Sequence, residues 1–190
     1  MKDVFVIGGP NGAGKSTGAN RILPTSLGLR HFLNADEIAR GLSPFDPDSA
    51  AIAAGRILIE NIDAFVQNGE SFAFETTCAG RGHLQRLRRC RSAGYRITLI
   101  FLWLPSTEMA LARVAQRVAH GGHGIPDDVV VRRYAAGLRN MRHHFLSVAD
   151  VALIYDNSER GRVVIAEKHP DSALIVYDAV RWQMIEEATR

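Results

Sequence analysis

The chain is predicted to fold as an α/β protein, a parallel sheet flanked on both faces by helices. Three observations predict it. Short apolar runs alternate with helix-length stretches along the chain. The run from Tyr95 to Leu104 is apolar almost throughout, as a strand covered on both faces must be. The first apolar run, Val4-Phe5-Val6-Ile7, leads straight into a glycine-rich turn and then a helix.

Taken in order, Lys2 to Gly8 forms the first strand. Gly9-Pro10-Asn11-Gly12-Ala13-Gly14-Lys15-Ser16-Thr17 follows and fits the phosphate-loop pattern G-x-x-x-x-G-K-[ST] at every fixed position. Ser16 to Leu23 continues as a helix, which Pro24 is expected to end. His31 to Asp36 reads as a short second strand with a polar end. Residues 41–47 carry the turn residues of a loop. A long helix is expected from about Asp48 to Asn68, capped by Asp46 or Asp48, with Pro47 in its first turn and Gly69 as its stop. Ile52, Gly55, Ile59, Ile62 and Val66 share one face of it, read as core packing rather than a binding groove.

Ser71 to Glu75 is a third strand ending in an acid, and residues 80–93 form a basic helix. Tyr95 to Leu104 is the fourth strand. Ser106 caps a helix to about Ala119, and residues 120–126 break the chain. Asp127 to Phe145 is a helix with Val130, Tyr134, Leu138 and Met141 on one side. Val151 to Tyr155 is the fifth strand. Arg162 to Glu167 and Ala173 to Tyr177 read as two short strands around a turn at residues 169–171, and a last helix closes the chain.

The bulk properties narrow the classes. The sequence has 190 residues, 46% hydrophobic and 23% charged, which suits one soluble domain over 1–190. A net charge of +3 suits an acidic small ligand such as a nucleotide without demanding nucleic acid. Cys78 and Cys90 are not a C-x-x-C pair and read as reduced thiols of a cytoplasmic protein. No stretch approaches the length of a membrane span, and the N-terminus runs directly into a strand, leaving no room for a signal peptide. There are no repeats or low-complexity segments.

The phosphate loop fixes the first part of the chemistry. Its glycines let backbone N–H groups close on an anion, and the following helix presents its positive end to the same place. Lys15 neutralises the β- and γ-phosphates of ATP, and the Ser16 hydroxyl holds Mg²⁺. Ligands of open α/β sheets bind beyond the carboxyl ends of the strands. Asp36 after strand two and Glu75 after strand three fall there too. Asp36 is favoured as the base that takes a proton from an attacking hydroxyl, with Glu75 as an orienting or metal-side acid. The bland alternatives are that Asp36, with Asn34, only caps a short helix beginning at Glu37, and that Glu75 is a solvated strand end. Thr76 and Thr77 can bond a sugar or phosphate, or serve only as strand residues. The fourth strand reaches Leu104-Pro105 with no acid, which points away from a motor-type ATPase and towards a small kinase.

Arg113 and Arg117 share a helix face, and Arg132 and Arg133 follow the glycine-rich break. Together they read as arginines of a lid over the triphosphate, each with surface charge as its alternative. His120 and His123 have a metal-like spacing that nothing completes. A plain polar loop is the bland reading, and a substrate or phosphate contact from His123 the functional one. The arginines of residues 81–96 lack interleaved aromatics and read as a solvated face rather than a nucleic-acid surface.

The sequence resembles the zeta toxin family of phosphate-loop kinases, in its chromosomal stand-alone form. The matching pieces are residues 8–17, Leu-Asn-Ala-Asp at 33–36, Phe-Ala-Phe-Glu-Thr-Thr at 72–77, Arg-Val-x-x-Arg-Val at 113–118, Gly-Gly-His-x-Ile-Pro at 121–126 and Tyr-Asp-Asn-Ser at 155–158. The resemblance implies phosphorylation by ATP of a sugar nucleotide, with UDP-N-acetylglucosamine as the leading substrate, and an antitoxin partner. It implies a catalytic base at Asp36, substrate contacts at Glu75 and Thr77, triphosphate contacts at Arg117 and Arg132, and an adenine border at Asp156-Asn157. The toxins carry an arginine soon after the substrate threonine. Ala79 stands there in this chain, and Arg81, two residues on, is the nearest substitute.

The resulting expectation is a three-layer P-loop NTPase fold, its parallel core ordered 2-3-1-4-5, with a short C-terminal β extension over about 160–190 and a lid over about 113–133. Lys15, Asp36 and Arg117 form the catalytic group. The rival functions are a nucleotide-dependent switch without an acceptor and a nucleic-acid end kinase.

Overall fold

A computed structural model of the chain describes residues 2–26, 28–122, 124–159 and 161–189. Its first strand, β1 (Lys2–Gly8), lies between two other strands because Val4 to Ile7 are apolar on both faces. The other strands are β2 (Phe32–Leu33), β3 (Phe72–Thr76), β4 (Tyr95–Trp103), β5 (Val151–Asp156), β6 (Val163–Lys168) and β7 (Ile175–Val176). They form one sheet in the order β2-β3-β1-β4-β5-β6-β7. The first five are parallel in the predicted order 2-3-1-4-5. β6 and β7 extend the sheet antiparallel.

Register is what positions the site. Ile7 pairs with Glu75 and Gly8 with both Thr76 and Phe101, so β1, β3 and β4 end side by side. Leu33 pairs with Phe74, which sets Asn34 next to Glu75. β2 is only two residues long, against the six expected, because Asn34 leaves the sheet to start a helix.

Helix α1 (Lys15–Ser26) runs through Pro24 instead of ending before it. A proline forfeits one backbone bond but does not force an end in the last turn. The stop lies at Gly28, in left-handed conformation at φ 60°, with the Leu29 N–H bonded back to the Leu23 carbonyl. Helix α2 (Ala35–Leu42) begins two residues before the expected Glu37, capped by Asn34. The expected long helix is divided into a 3₁₀ turn (Pro47–Ala50), whose Asp46 carboxylate accepts the Ser49 N–H, and α3 (Ala51–Asn68), ended by Gly69. The side of α3 in the core is Ala54, Leu58 and Ile62. Of the face expected to pack, Ile52 is 74% exposed and Gly55 and Ile59 turn to a cavity instead. Ala39, Ala50 and Ala54 form a small second core that ties α2 to α3 apart from the main one.

Helices α4 (Gly82–Ser92) and α5 (Thr107–Ala119) follow β3 and β4, and Ser106 caps α5 through the Met109 N–H as expected. Helix α6 (Asp127–Asn140) passes through a π turn (Met141–Phe145) into the short α7 (Leu146–Val148). Its buried side is Val130, Tyr134, Leu138 and Met141, with the Tyr134 hydroxyl donating to the Leu104 carbonyl. Helix α8 (Ala179–Glu187) closes the chain. No helix among the described residues is long and apolar enough to cross a membrane.

Candidate active site

The phosphate loop is held by its surroundings. A Cβ on Gly9 would lie 2.4 Å from the Leu102 carbonyl oxygen, and Gly9 adopts φ 145°, so β4 requires glycine there. Gly14 has φ 76° and turns the chain into α1. The Ala13 N–H bonds the Pro10 carbonyl, and Asn157 donates its side-chain amide to the Ala13 carbonyl at 2.7 Å. Arg113 in turn donates to the Asn157 carbonyl at 2.8 Å and to the Ser158 carbonyl. Thus Arg113 and Asn157 brace the loop from β5, a role the sequence reading did not assign to either.

Lys15 is 6% exposed, and its Nζ donates to the Pro10 carbonyl at 2.9 Å and lies 3.6 Å from Glu75 Oε1. Burial pulls the ammonium below the ordinary lysine range, and the carboxylates of Glu75 and Asp36 oppose that pull. Ser16 Oγ donates to Glu75 Oε2 at 2.7 Å, and Asn34 Nδ2 donates to the same oxygen at 3.0 Å. The Asn34 carbonyl oxygen accepts the Asp36 N–H at 2.8 Å and the Glu37 N–H at 3.3 Å. Asn34, not Asp36, is therefore the cap, and the Asp36 carboxylate is left to face the site.

Two cavities meet here. One, of about 370 Å³, is lined by Gly12, Gly14, Ser16, Thr17 and the arginines Arg40, Arg113 and Arg117. The other, of about 570 Å³, is lined by Ile52, Gly55, Arg56, Leu58 and Ile59 of α3, by Thr76 at the end of β3, by Thr77 and Gly80 after it, and by His83, Arg86 and Arg133. Asn11, Lys15, Asn34, Asp36 and Glu75 line both. The lysine and the two acids singled out in the sequence thus form the wall between a phosphate-loop cavity and a larger, partly apolar one.

The larger cavity depends on the segment after β3. Cys78 holds φ 59° there. Asn140 of α6, 5% exposed, donates to the Cys78 and Ala79 carbonyls, each at 2.9 Å. A Cβ on Gly137 would sit 2.4 Å from the Thr77 carbonyl oxygen, so α6 meets this segment backbone to backbone. Sequence reasoning missed both residues. The signal available was that Gly137 and Asn140 are three apart, on the side of α6 that carries Tyr134 and Leu138.

Other expected site residues fall elsewhere. Arg81 donates to Asn140 at 3.2 Å and does not line the large cavity, whereas Arg86, one turn on and expected to be solvated, does. Arg132 is exposed and lines neither cavity, while its neighbour Arg133 lines the larger. His123 lies outside the described residues. His120 is exposed, with its ring Nδ1 2.7 Å from the Gln116 carbonyl. No cluster of three or more His, Cys, Asp or Glu able to hold a metal occurs among the described residues. Cys78 and Cys90 are buried free thiols, pushed up to about 12 and about 11 by burial, so both stay protonated.

Mg²⁺ fits the donor set at the wall. The Ser16 hydroxyl and the Glu75 carboxylate are hard oxygen donors 2.7 Å apart, and such an ion completes its shell with phosphate oxygens and water.

Comparison with known proteins agrees with the fold. The AAA_33 family model, described as an AAA domain, matches residues 4–144. An uncharacterized protein of Haemophilus influenzae is 32% identical over 134 residues, 66% of this chain and 88% of its own. Among solved structures, AvrRxo1-ORF1:-ORF2 with ATP superposes at TM-score 0.74 and 16% identity, over all of this chain and 64% of that one. This chain therefore spans less than two thirds of that neighbour. A chain of the PezAT chromosomal toxin–antitoxin system of Streptococcus pneumoniae superposes at 0.65 and 14% identity, over 99% of this chain and 84% of that one. At these identities the likeness is one of fold alone, an α/β phosphate-loop fold.

Proposed function

The chain belongs to the AAA_33 family, and from that membership and the paired cavities we propose that it is an ATP-dependent kinase acting on a hydroxyl of a small acceptor. The observation that carries this reading is the shared wall. A nucleotide switch needs only a phosphate cavity. Here Lys15, Asp36 and Glu75 also face a second cavity of about 570 Å³, within the range of roughly 300–1,000 Å³ usual for small-molecule sites.

In this reading ATP lies along the phosphate loop, with Lys15 on its β- and γ-phosphates and Arg117 beside them. Mg²⁺, held through Ser16 with Glu75 nearby, supplies charge neutralisation of the phosphate oxygens. The acceptor hydroxyl loses its proton to the Asp36 carboxylate. A new bond forms from its oxygen to the γ-phosphorus, the bond from that phosphorus to the β-bridging oxygen breaks, and ADP leaves. Glu75 holds the Ser16 hydroxyl before the nucleotide arrives, and Thr77 orients the acceptor. Of the expected lid over about 113–133, Arg113 is tied to the Asn157 and Ser158 carbonyls and Val114 and Val130 are buried in the core, while Arg117 and Arg133 reach the two cavities.

The leading acceptor is a sugar nucleotide, UDP-N-acetylglucosamine above others, on the strength of the motif resemblance at residues 33–36 and 72–77. A cavity with an isoleucine-rich wall on one side and threonine hydroxyls on the other suits a ligand with an apolar and a polar face. A protein antitoxin is the proposed partner, since the PezAT neighbour is a toxin–antitoxin system.

Phosphorus NMR with Mg-ATP and a panel of nucleotide sugars tests this. The expected result is a new phosphomonoester signal that requires an acceptor and is strongest with UDP-N-acetylglucosamine. Steady phosphate release with no acceptor dependence would contradict it.

A further inference from the structure

We propose that Arg86, assisted by Arg56 and Arg133, forms an anion subsite in the larger cavity that takes a phosphate or diphosphate group of the acceptor, while His83 beside it binds a neutral polar group. The proposal rests on the reading of that cavity as the acceptor site.

Charge is distributed unevenly over the two cavities. The acids Asp36 and Glu75 stand in the shared wall, and Arg56, Arg86 and Arg133 line the larger cavity alone. The smaller cavity has its own arginines, Arg40, Arg113 and Arg117, of which Arg113 is committed to carbonyls after β5. With Lys15, the larger cavity is lined by four cations, Lys15, Arg56, Arg86 and Arg133, against the two carboxylates Asp36 and Glu75, an excess that a neutral acceptor would leave unmatched, and cations held in a concave, partly apolar site raise the local concentration of anions.

Arg86 is the anchor of the group. Its guanidinium is oriented, because Nη1 donates to the Gly82 carbonyl at 3.0 Å. Its Nε is buried and has no hydrogen-bond partner among the described residues. With its Nε out of reach of solvent, Arg86 meets the cavity through the other atoms of its side chain. The planar fork of a guanidinium matches phosphate oxygens two at a time. Arg56 and Arg133 are exposed. Their attraction is screened by solvent, and they add steering more than affinity.

His83 lies three residues before Arg86, on the same side of α4. Its Nδ1 is likewise buried without a hydrogen-bond partner among the described residues, and its ring packs on Phe74 with centroids 4.8 Å apart. Burial, reinforced by the Arg86 charge, pushes its pKa down to about 4, so near neutrality it contributes a hydrogen bond and no charge. The other arginines of α4 do not belong to the subsite. Arg88 and Arg89 are exposed around a separate shallow surface with Gln85 and Ser92.

The test is calorimetric titration of protein saturated with Mg²⁺ and a non-hydrolysable ATP analogue. The probes are UDP-N-acetylglucosamine, N-acetylglucosamine 1-phosphate and neutral N-acetylglucosamine. The phosphate-bearing probes should bind, with an affinity that falls as salt rises, and the neutral sugar should bind at least about tenfold more weakly. Arg86→Gln should weaken the phosphate-bearing probes by about 10- to 100-fold and Arg133→Gln by a few-fold. Arg89→Gln should change nothing, and nucleotide affinity should hold throughout. If Arg86→Gln fails to fold, Arg133→Gln and the salt dependence decide. Equal binding of the neutral sugar, indifference to both arginines, or no binding of any probe overturns the subsite. Arg86-dependent binding of the sugar phosphate alone keeps the subsite and removes the sugar nucleotide. Tight binding of UDP-N-acetylglucosamine indifferent to Arg86 does the reverse.

Discussion

The two cavities that share Lys15, Asp36 and Glu75 are built by different means. The phosphate side is mostly backbone: a loop of consecutive residues locked between β1 and α1, with Gly9 pressed against β4 and Asn157 bonded to the Ala13 carbonyl. The acceptor side is mostly side chains projecting from α3, α4 and α6 around the end of β3. A backbone cradle cannot change its ligand without changing the fold, whereas a side-chain pocket can. If the larger cavity takes the acceptor, as proposed, donor and acceptor binding should respond to different substitutions.

The largest expected effect is on the wall itself. Lys15→Ala removes the cation that both cavities share, and phosphotransfer should fall by at least about 10²–10³-fold in kcat, measured by acceptor phosphorylation. Loss of acceptor affinity with intact nucleotide binding would place Lys15 on the wrong side. Next, Asn140→Ala leaves the Cys78 and Ala79 carbonyls without the donor that holds them. A loss of about 1–3 kcal/mol in chemical denaturation is expected, together with weaker acceptor binding.

Gly55→Leu separates the two sides most cleanly. A Cβ at Gly55 meets nothing within 4 Å among the described residues, so a larger side chain enters the acceptor cavity without clash, and leucine is the better helix former. The acceptor KM should rise about tenfold or more, with the KM for ATP unchanged. A further effect, on stability alone, concerns His83. The unfolded imidazole titrates near 6.5 and the folded one near 4. The unfolded chain therefore binds a proton that the folded chain refuses, and stability falls as pH drops from about 6.5 towards 4. The slope approaches at most about 1.4 kcal/mol per pH unit. His83→Gln should flatten the fall of Tm between pH 7 and 5. An unchanged profile would mean that the ring is not buried as described.

The same contrast governs what the sequence made legible. Strand order, the phosphate loop and the placing of Asp36 after β2 and Glu75 at the end of β3 were readable because each depends on neighbours along the chain and on the common rule that ligands sit at strand ends. The acceptor side was not. Helix α3 carries apolar residues at 52, 55, 59 and 62 and also at 54, 58 and 62, and both sets have helical spacing. Periodicity identifies an apolar face but cannot say whether it meets a core or a cavity. Arg81 and Arg86 are equally basic, and only the start of α4 at Gly82 decides which of them lines the cavity. Gly137 and Asn140 matter through the backbone of residues 77–79, some sixty positions away, a contact that no local pattern records. The end of α1 was misread because the closing bond, from the Leu29 N–H to the Leu23 carbonyl with Gly28 in left-handed conformation, lies beyond Pro24.

In the proposed mechanism the wall between the cavities is where phosphate crosses, with Asp36 receiving the proton. Asp36→Asn tests it most directly, because the amide keeps the shape and loses the base. Acceptor phosphorylation by phosphorus NMR and binding of a fluorescent ATP analogue should be measured on the same preparation. Transfer should fall by about 10²–10⁴-fold while nucleotide affinity stays within about twofold. Undiminished transfer, or a loss that merely follows the loss of nucleotide binding, would contradict it.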